Sequence, residues 1–249
     1  MKIYIGKLNK AKLLQIAEAE RKLFVTIAHL QNEIRFSLYG VVWSHDFSSS
    51  DDIVVQGQIS LNFFYLRILA GKLHEGWQLL QKHYFTNKIL STDFNDNGSK
   101  EAIKLLKELG KYFGKTNAIT EIRNNLSFHY SPNDLARQLE NLPEALEIYI
   151  AKENDANTLY YFAEALANRG VLDKLDYEDN LNPFEAIYSE LSTIAKKFNK
   201  FNMLYMKYII KKHSPEMWDG AAEEVELKGL VKFSNVRIPL FTDTTDGFI

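Results

Sequence analysis

Three stretches of roughly thirty residues read at helical period, and they constrain the fold more than anything else in the chain. They run from near Asn9 to near Tyr39, from about Asp52 to about Tyr84, and from about Pro183 to His213. Helices of that length owe their stability to an apolar face buried against other helices. The first has no Pro or Gly in its interior and is rich in Ala, Leu, Glu and Lys. The second is apolar on more than one side between Leu61 and Leu80, as the central helix of a bundle is, and Gly71 and Gly76 mark close packing or a bend. The third opens on Pro183, a residue suited to the first turn.

Shorter elements fill the intervals. The polar run from Ser44 to Asp52 is a loop that ends in several possible N-caps. The run from Thr92 to Gly98 reads as a second loop, followed by a helix from about Ser99 to Phe113 that Gly114 can stop. Thr116 or Asn117 can cap a further helix ending near His129 or Tyr130, because Pro132 biases Ser131 away from helical geometry. Helices over about Asn133 to Lys152, broken or kinked at Pro143, and over about Thr158 to Asn168 complete the set. In the tail, Val225, Leu227, Val231, Phe233, Val236, Ile238 and Leu240 come close to alternation, with a plausible turn at Ser234-Asn235. The expected fold class is all-α, a helical bundle over residues 1–213, with a small C-terminal β-hairpin or arm in residues 214–249.

The absence of cysteine removes disulfides, thiolate metal sites and cysteine nucleophiles, and fits a reducing compartment. The first residues contain no apolar core of the length a signal peptide needs, and the apolar stretch Ile59–Leu69 is short and interrupted by Asn62 and Arg67. A cytoplasmic protein without membrane attachment is expected. Net charge is −2, so a nucleic-acid partner has to meet a local patch rather than a global basic field.

The segment that speaks to function is Arg123-Asn124-Asn125-Leu126-Ser127-Phe128-His129. On a helix, Ile119, Ile122, Leu126 and Tyr130 form one apolar stripe, with Arg123 on one border and His129 on the other. The two lie about 120° apart around the axis and about 9 Å apart along it. For both to reach one phosphate, the helix must end near His129 or a second copy must face it. A histidine exchanges protons near neutral pH, and a guanidinium holds phosphate oxygens bidentately. Structural readings remain open beside this one: Arg123 pairing with an acid such as Glu121, and His129 as a C-terminal helix cap.

This arrangement of an Arg, a polar residue and a nearby His at the end of a bundle helix resembles the RNase-type motif of the HEPN superfamily. The resemblance covers at most the helical region around residues 50–150. It implies a HEPN-like helical core there. It further implies a homodimer whose two motifs form one metal-independent endoribonuclease site, with Arg123, Asn124 and His129 as catalytic residues, no cofactor, and RNA as the partner. A place among toxins or anti-phage effectors, with an antitoxin or regulatory protein as a further partner, belongs to the same expectation. The alternative is a non-catalytic helical interaction or nucleotide-binding module.

Other signals are weaker. Arg67 and His74 give a second Arg-to-His match, with six residues between them where Arg123 and His129 have five, but inside a helix and with Ile68 after the Arg. Lys196, Lys200, Lys207 and Lys211 recur at helical spacing and form either an RNA-backbone stripe or a solvated face. Glu75 is a candidate partner for Arg123. The run from Asp93 to Gly98 mimics the opening of a calcium loop, but its twelfth position is Lys104 rather than Glu, and no His pairing suggests a metal site.

Overall fold

The computed structural model describes residues 1–124, 139–140, 144, 146–152, 157–172, 182–215 and 223–243. In chain order these form β1 (Lys2–Ile5), α1 (Lys10–Gln15), α2 (Glu18–Ser44), α3 (Asp52–Leu79), α4 (Lys88–Asn97), α5 (Lys100–Phe113), α6 (Ala118–Ile122), α7 (Tyr161–Leu172), α8 (Pro183–His213) and β2 (Glu223–Glu226). The protein is an all-α helical bundle with a small two-stranded antiparallel sheet. The chain divides into two compact units, each assembled from three segments: residues 1–35, 75–115 and 194–236 in unit 1, and residues 36–74, 116–193 and 237–249 in unit 2.

Several helix starts follow from capping chemistry. The Asn9 side chain accepts from Ala11 N, Asn87 from Leu90 N, Ser99 from Ala102 N and Asn117 from Thr120 N, so each start is fixed by a side chain that satisfies an orphan donor. The first expected helix is interrupted. Ile16 is extended and buried, and the Arg21 guanidinium donates to the Leu14 and Ile16 carbonyls that an unbroken helix would have satisfied itself. α3 continues past Leu79 into a wider helical turn, Leu80–Phe85, which buries Leu80 and Tyr84.

In unit 1 the core is aromatic. Trp77 stacks on Phe113 at 5.1 Å, and Phe94 sits against Phe201, Tyr205 and Tyr208. Burial of such rings stabilises by roughly 1.5–3 kcal/mol each. The β arm pairs the two ends of the unit, with Lys2 opposite Glu226 and Tyr4 opposite Glu224, and the Lys2 ammonium 2.6 Å from Glu224. The expected C-terminal β structure is therefore an arm whose partner is the N-terminal strand rather than the other half of a hairpin. Phe233–Asn235 is a short 3-10 turn.

In unit 2, polar side chains fasten α3 to its neighbours. Asn62 is fully buried and donates to Val41 O and Ser44 Oγ at 2.7 and 2.9 Å. Gln58 donates to Ser44 O and Ile238 O and accepts from Leu240 N, which holds the tail segment 237–241 in place. The 34-residue helical run Asp52–Phe85 has a mean hydropathy of 1.3 in its most apolar window, enough by length and composition to cross a membrane. Leu66, Leu69, Ala70 and Leu73 spend that apolar surface in the bundle core.

Two expectations are corrected. The run from Thr92 to Gly98 is not a loop: α4 occupies it, because Leu90 and Phe94, one turn apart, are buried while Asn95, Asp96 and Asn97 face outward. The helix expected over Asn133–Lys152 does not reach its proposed end. Tyr149 and Leu159 form an antiparallel bridge with both backbone hydrogen bonds, and most of that span lies outside the described residues.

Candidate functional site

Arg123 is positioned by α6, a short helix held at its start and along one side. Asn117 caps it, the Glu190 carboxylate accepts from Ala118 N at 3.2 Å, and Ala118, Ile119 and Ile122 are buried. Arg123 follows directly in helical geometry, its N–H shared between the Ile119 and Thr120 carbonyls. Its side chain is half-buried, Asn124 is exposed, and Arg123 Nη1 donates to Asn124 Oδ1 at 3.3 Å. His129 lies outside the described residues, as does the expected end of this helix.

The competing match at Arg67 is structural. Its side chain is 13% exposed, and its guanidinium donates to Glu164 at 3.0 Å and Asn168 at 3.1 Å, tying α3 to α7. A partly buried, hydrogen-bonded guanidinium of that kind is committed to packing. Glu75 is exposed and belongs to unit 1, where it lines a groove of about 440 Å³ with Thr26, His29 and Glu33, whereas Arg123 belongs to unit 2.

The four lysines of the stripe on α8 are all in unit 1 but have different surroundings. Lys196 is exposed. Lys200 lies 3.5 Å from Glu101. Lys207 and Lys211 line a groove of about 640 Å³ with Asp93, Asn97, Gly98, Ser99 and Tyr208.

Beside that groove sits a polar cluster with no local signature in the sequence. Glu20 of α2 is nearly inaccessible and meets Lys212 at 2.8 Å and His213 at 3.0 Å. Lys212 also meets Asp93 at 2.6 Å, and Tyr208 donates to the same carboxylate. The Lys212 ammonium and the Tyr208 hydroxyl hold Asp93 below the usual carboxylate range. Burial works against the charge on Lys212, but the Asp93 and Glu20 carboxylates outweigh it and raise its pKa. The Tyr84 hydroxyl is pushed up to about 12 by burial.

In unit 2, His45 is enclosed by aromatic rings: Tyr188 at 4.1 Å, Phe47 at 4.7 Å and Phe184 at 6.0 Å. Burial lowers its pKa, opposed by Glu185 and Asp46. Among the described residues, no group of three or more His, Asp and Glu side chains is arranged to hold a metal ion. No family model matches the chain, and neither a curated protein nor a solved structure shows a significant likeness to it.

Proposed function

We propose that this protein is a metal-independent endoribonuclease of HEPN type. The observation that supports it best is the position of Arg123 and Asn124. They are adjacent, the Arg123 guanidinium donates to the exposed Asn124 side chain, and both directly follow a short helix anchored by a capping Asn and a buried apolar side. A rigid support for a guanidinium is what positioning on a phosphate requires.

In this reading the ribose 2′-hydroxyl attacks the adjacent phosphorus, and the bond to the 5′-oxygen breaks. His129 accepts the hydroxyl proton or returns one to the leaving oxygen, Arg123 stabilises the extra negative charge on the phosphoryl oxygens, and Asn124 orients the guanidinium. The products are a 2′,3′-cyclic phosphate and a 5′-hydroxyl. A homodimer that brings two motifs together supplies both proton-transfer roles, and a cytoplasmic toxin or anti-phage effector is the setting that matches such an activity.

The test is cleavage of a mixed RNA pool in EDTA by the wild type, Arg123→Ala and His129→Ala. The expected loss is about a hundredfold or more for either variant, with unchanged circular dichroism and cyclic-phosphate ends in the wild-type products. Equal cleavage by all three would assign the activity elsewhere. No cleavage by any of them, from a folded dimer, would favour a helical interaction module.

A further inference from the structure

The net charge of −2 conceals an uneven distribution. Unit 1 contains 22 Lys and Arg against 13 Asp and Glu, a net of +9, whereas unit 2 contains 8 against 19, a net of −11. Within unit 1 the excess is concentrated. α5 and the part of α8 from Ile194 to His213 together carry ten lysines and two glutamates.

The arrangement on α5 is specific. Lys100, Lys104, Lys107 and Lys111 follow one another at intervals of four, three and four residues, so they share one face and recur every ~4.5–6 Å along it. All four are exposed, and they line a shallow groove of about 430 Å³. The opposite face is spent on packing: Ala102, Leu106 and Leu109 are buried. The two acids of the helix turn toward α8, Glu108 to Lys197 at 2.8 Å and Glu101 to Lys200 at 3.5 Å, although Glu108 also stands 3.9 Å from Lys104. Like charges three and four residues apart repel, so the row weakens the isolated helix. Folding does not explain it, whereas a bound polyanion does.

The row also continues. At the start of α5, Gly98 and Ser99 border the larger groove, whose other wall carries Lys207 and Lys211. We infer that unit 1 carries a polynucleotide-binding surface, a track of six lysines running from Lys211 and Lys207 past the start of α5 and along Lys100, Lys104, Lys107 and Lys111. Its ligand is the sugar-phosphate backbone, held without base reading by point charges at roughly the spacing of successive phosphates. An anionic bilayer fits less well, because an interfacial helix needs an apolar face to insert and that of α5 is already buried. The choice of RNA as the polynucleotide rests on the ribonuclease reading; the surface itself does not. It also supplies what that reading needs, because the unit bearing Arg123 has a net charge that repels RNA.

The test is binding of the full chain to a fluorescent single-stranded 2′-O-methyl RNA, which cannot be cleaved, over about 50–200 mM salt. The variant joins Lys100→Gln, Lys104→Gln, Lys107→Gln and Lys111→Gln. The control joins Lys7→Gln, Lys10→Gln, Lys82→Gln and Lys88→Gln, four exposed positions in the same unit that remove the same charge. The α5 variant should bind roughly tenfold or more weakly, with the slope of log affinity against log salt shallower by about 3, while the control changes little. Absence of salt-dependent binding by the wild type, equal losses in variant and control, or capture by phosphatidylserine vesicles without RNA binding would each overturn the proposal. Binding as described from a protein that cleaves nothing would leave this surface standing and remove the ribonuclease reading.

Discussion

His45 sits among aromatic rings, and burial there lowers its pKa against the pull of Glu185 and Asp46, with a consequence for stability. Its folded pKa lies below the ordinary value, so the unfolded chain binds the proton more tightly. The stabilisation is present above the unfolded pKa of about 6.5 and is lost as pH falls below it. Thermal melts from neutral pH toward pH ~5.5 should therefore show a falling midpoint, and His45→Phe, which keeps the aromatic contacts, should flatten part of that fall. A variant with the wild-type pH dependence would show that the decline originates elsewhere. Asn62 gives a second prediction at this scale. Removing a fully buried amide that holds Val41 O and Ser44 Oγ should cost about 1–3 kcal/mol in urea unfolding of Asn62→Ala, and a change within error would contradict the role given to it. Single residues also mark where sequence reading stops. Arg67 and Arg123 each stand a few residues before a His, and nothing local shows that Glu164 and Asn168, about a hundred positions away, close on Arg67. The cluster of Glu20, Asp93, Lys212 and His213 is equally invisible, because its members meet only after the helices pack.

At the scale of elements, the long helices were legible because periodicity and caps agree. Pro183–His213 and Lys100–Phe113 begin and end within a residue of the positions that composition and capping assign. α4 was not legible, since Asp, Asn and Gly in close succession imitate a turn, and only the burial of Leu90 and Phe94 turns the segment into a helix. The end of α4 is correspondingly demanding. A Cβ on Gly98 would stand 2.5 Å from the Phe94 carbonyl oxygen, so Gly98→Ala should destabilise by roughly 1–3 kcal/mol, and an unchanged denaturation midpoint would show that the turn can yield. The strand pairing of the tail was half legible. Alternation marked a β segment, but nothing local pointed to Lys2–Ile5, more than two hundred residues earlier, as its partner. The lysine face of α5 stood in the sequence at regular spacing; what the sequence lacked was the direction of Glu101 and Glu108, which leaves that face basic.

For the whole molecule, net charge near zero proved a poor guide, because a basic unit and an acidic unit cancel in the sum. In the proposed reading, the Arg123 motif in the acidic unit serves the reaction and the lysine track in the basic unit serves retention of RNA. The division predicts that the α5 lysine variant loses affinity for RNA while its rate at saturating RNA is retained, and that Arg123→Ala does the reverse. In the proposed reaction the RNA's own 2′-hydroxyl is the nucleophile. The most direct measurement is cleavage, in EDTA, of a defined oligoribonucleotide beside the same strand with a single 2′-deoxy substitution at the mapped cleavage position. The wild type should cut the first strand to a 2′,3′-cyclic phosphate and leave the substituted position intact. Cleavage of both strands at that position, or a 3′-hydroxyl end, would contradict it.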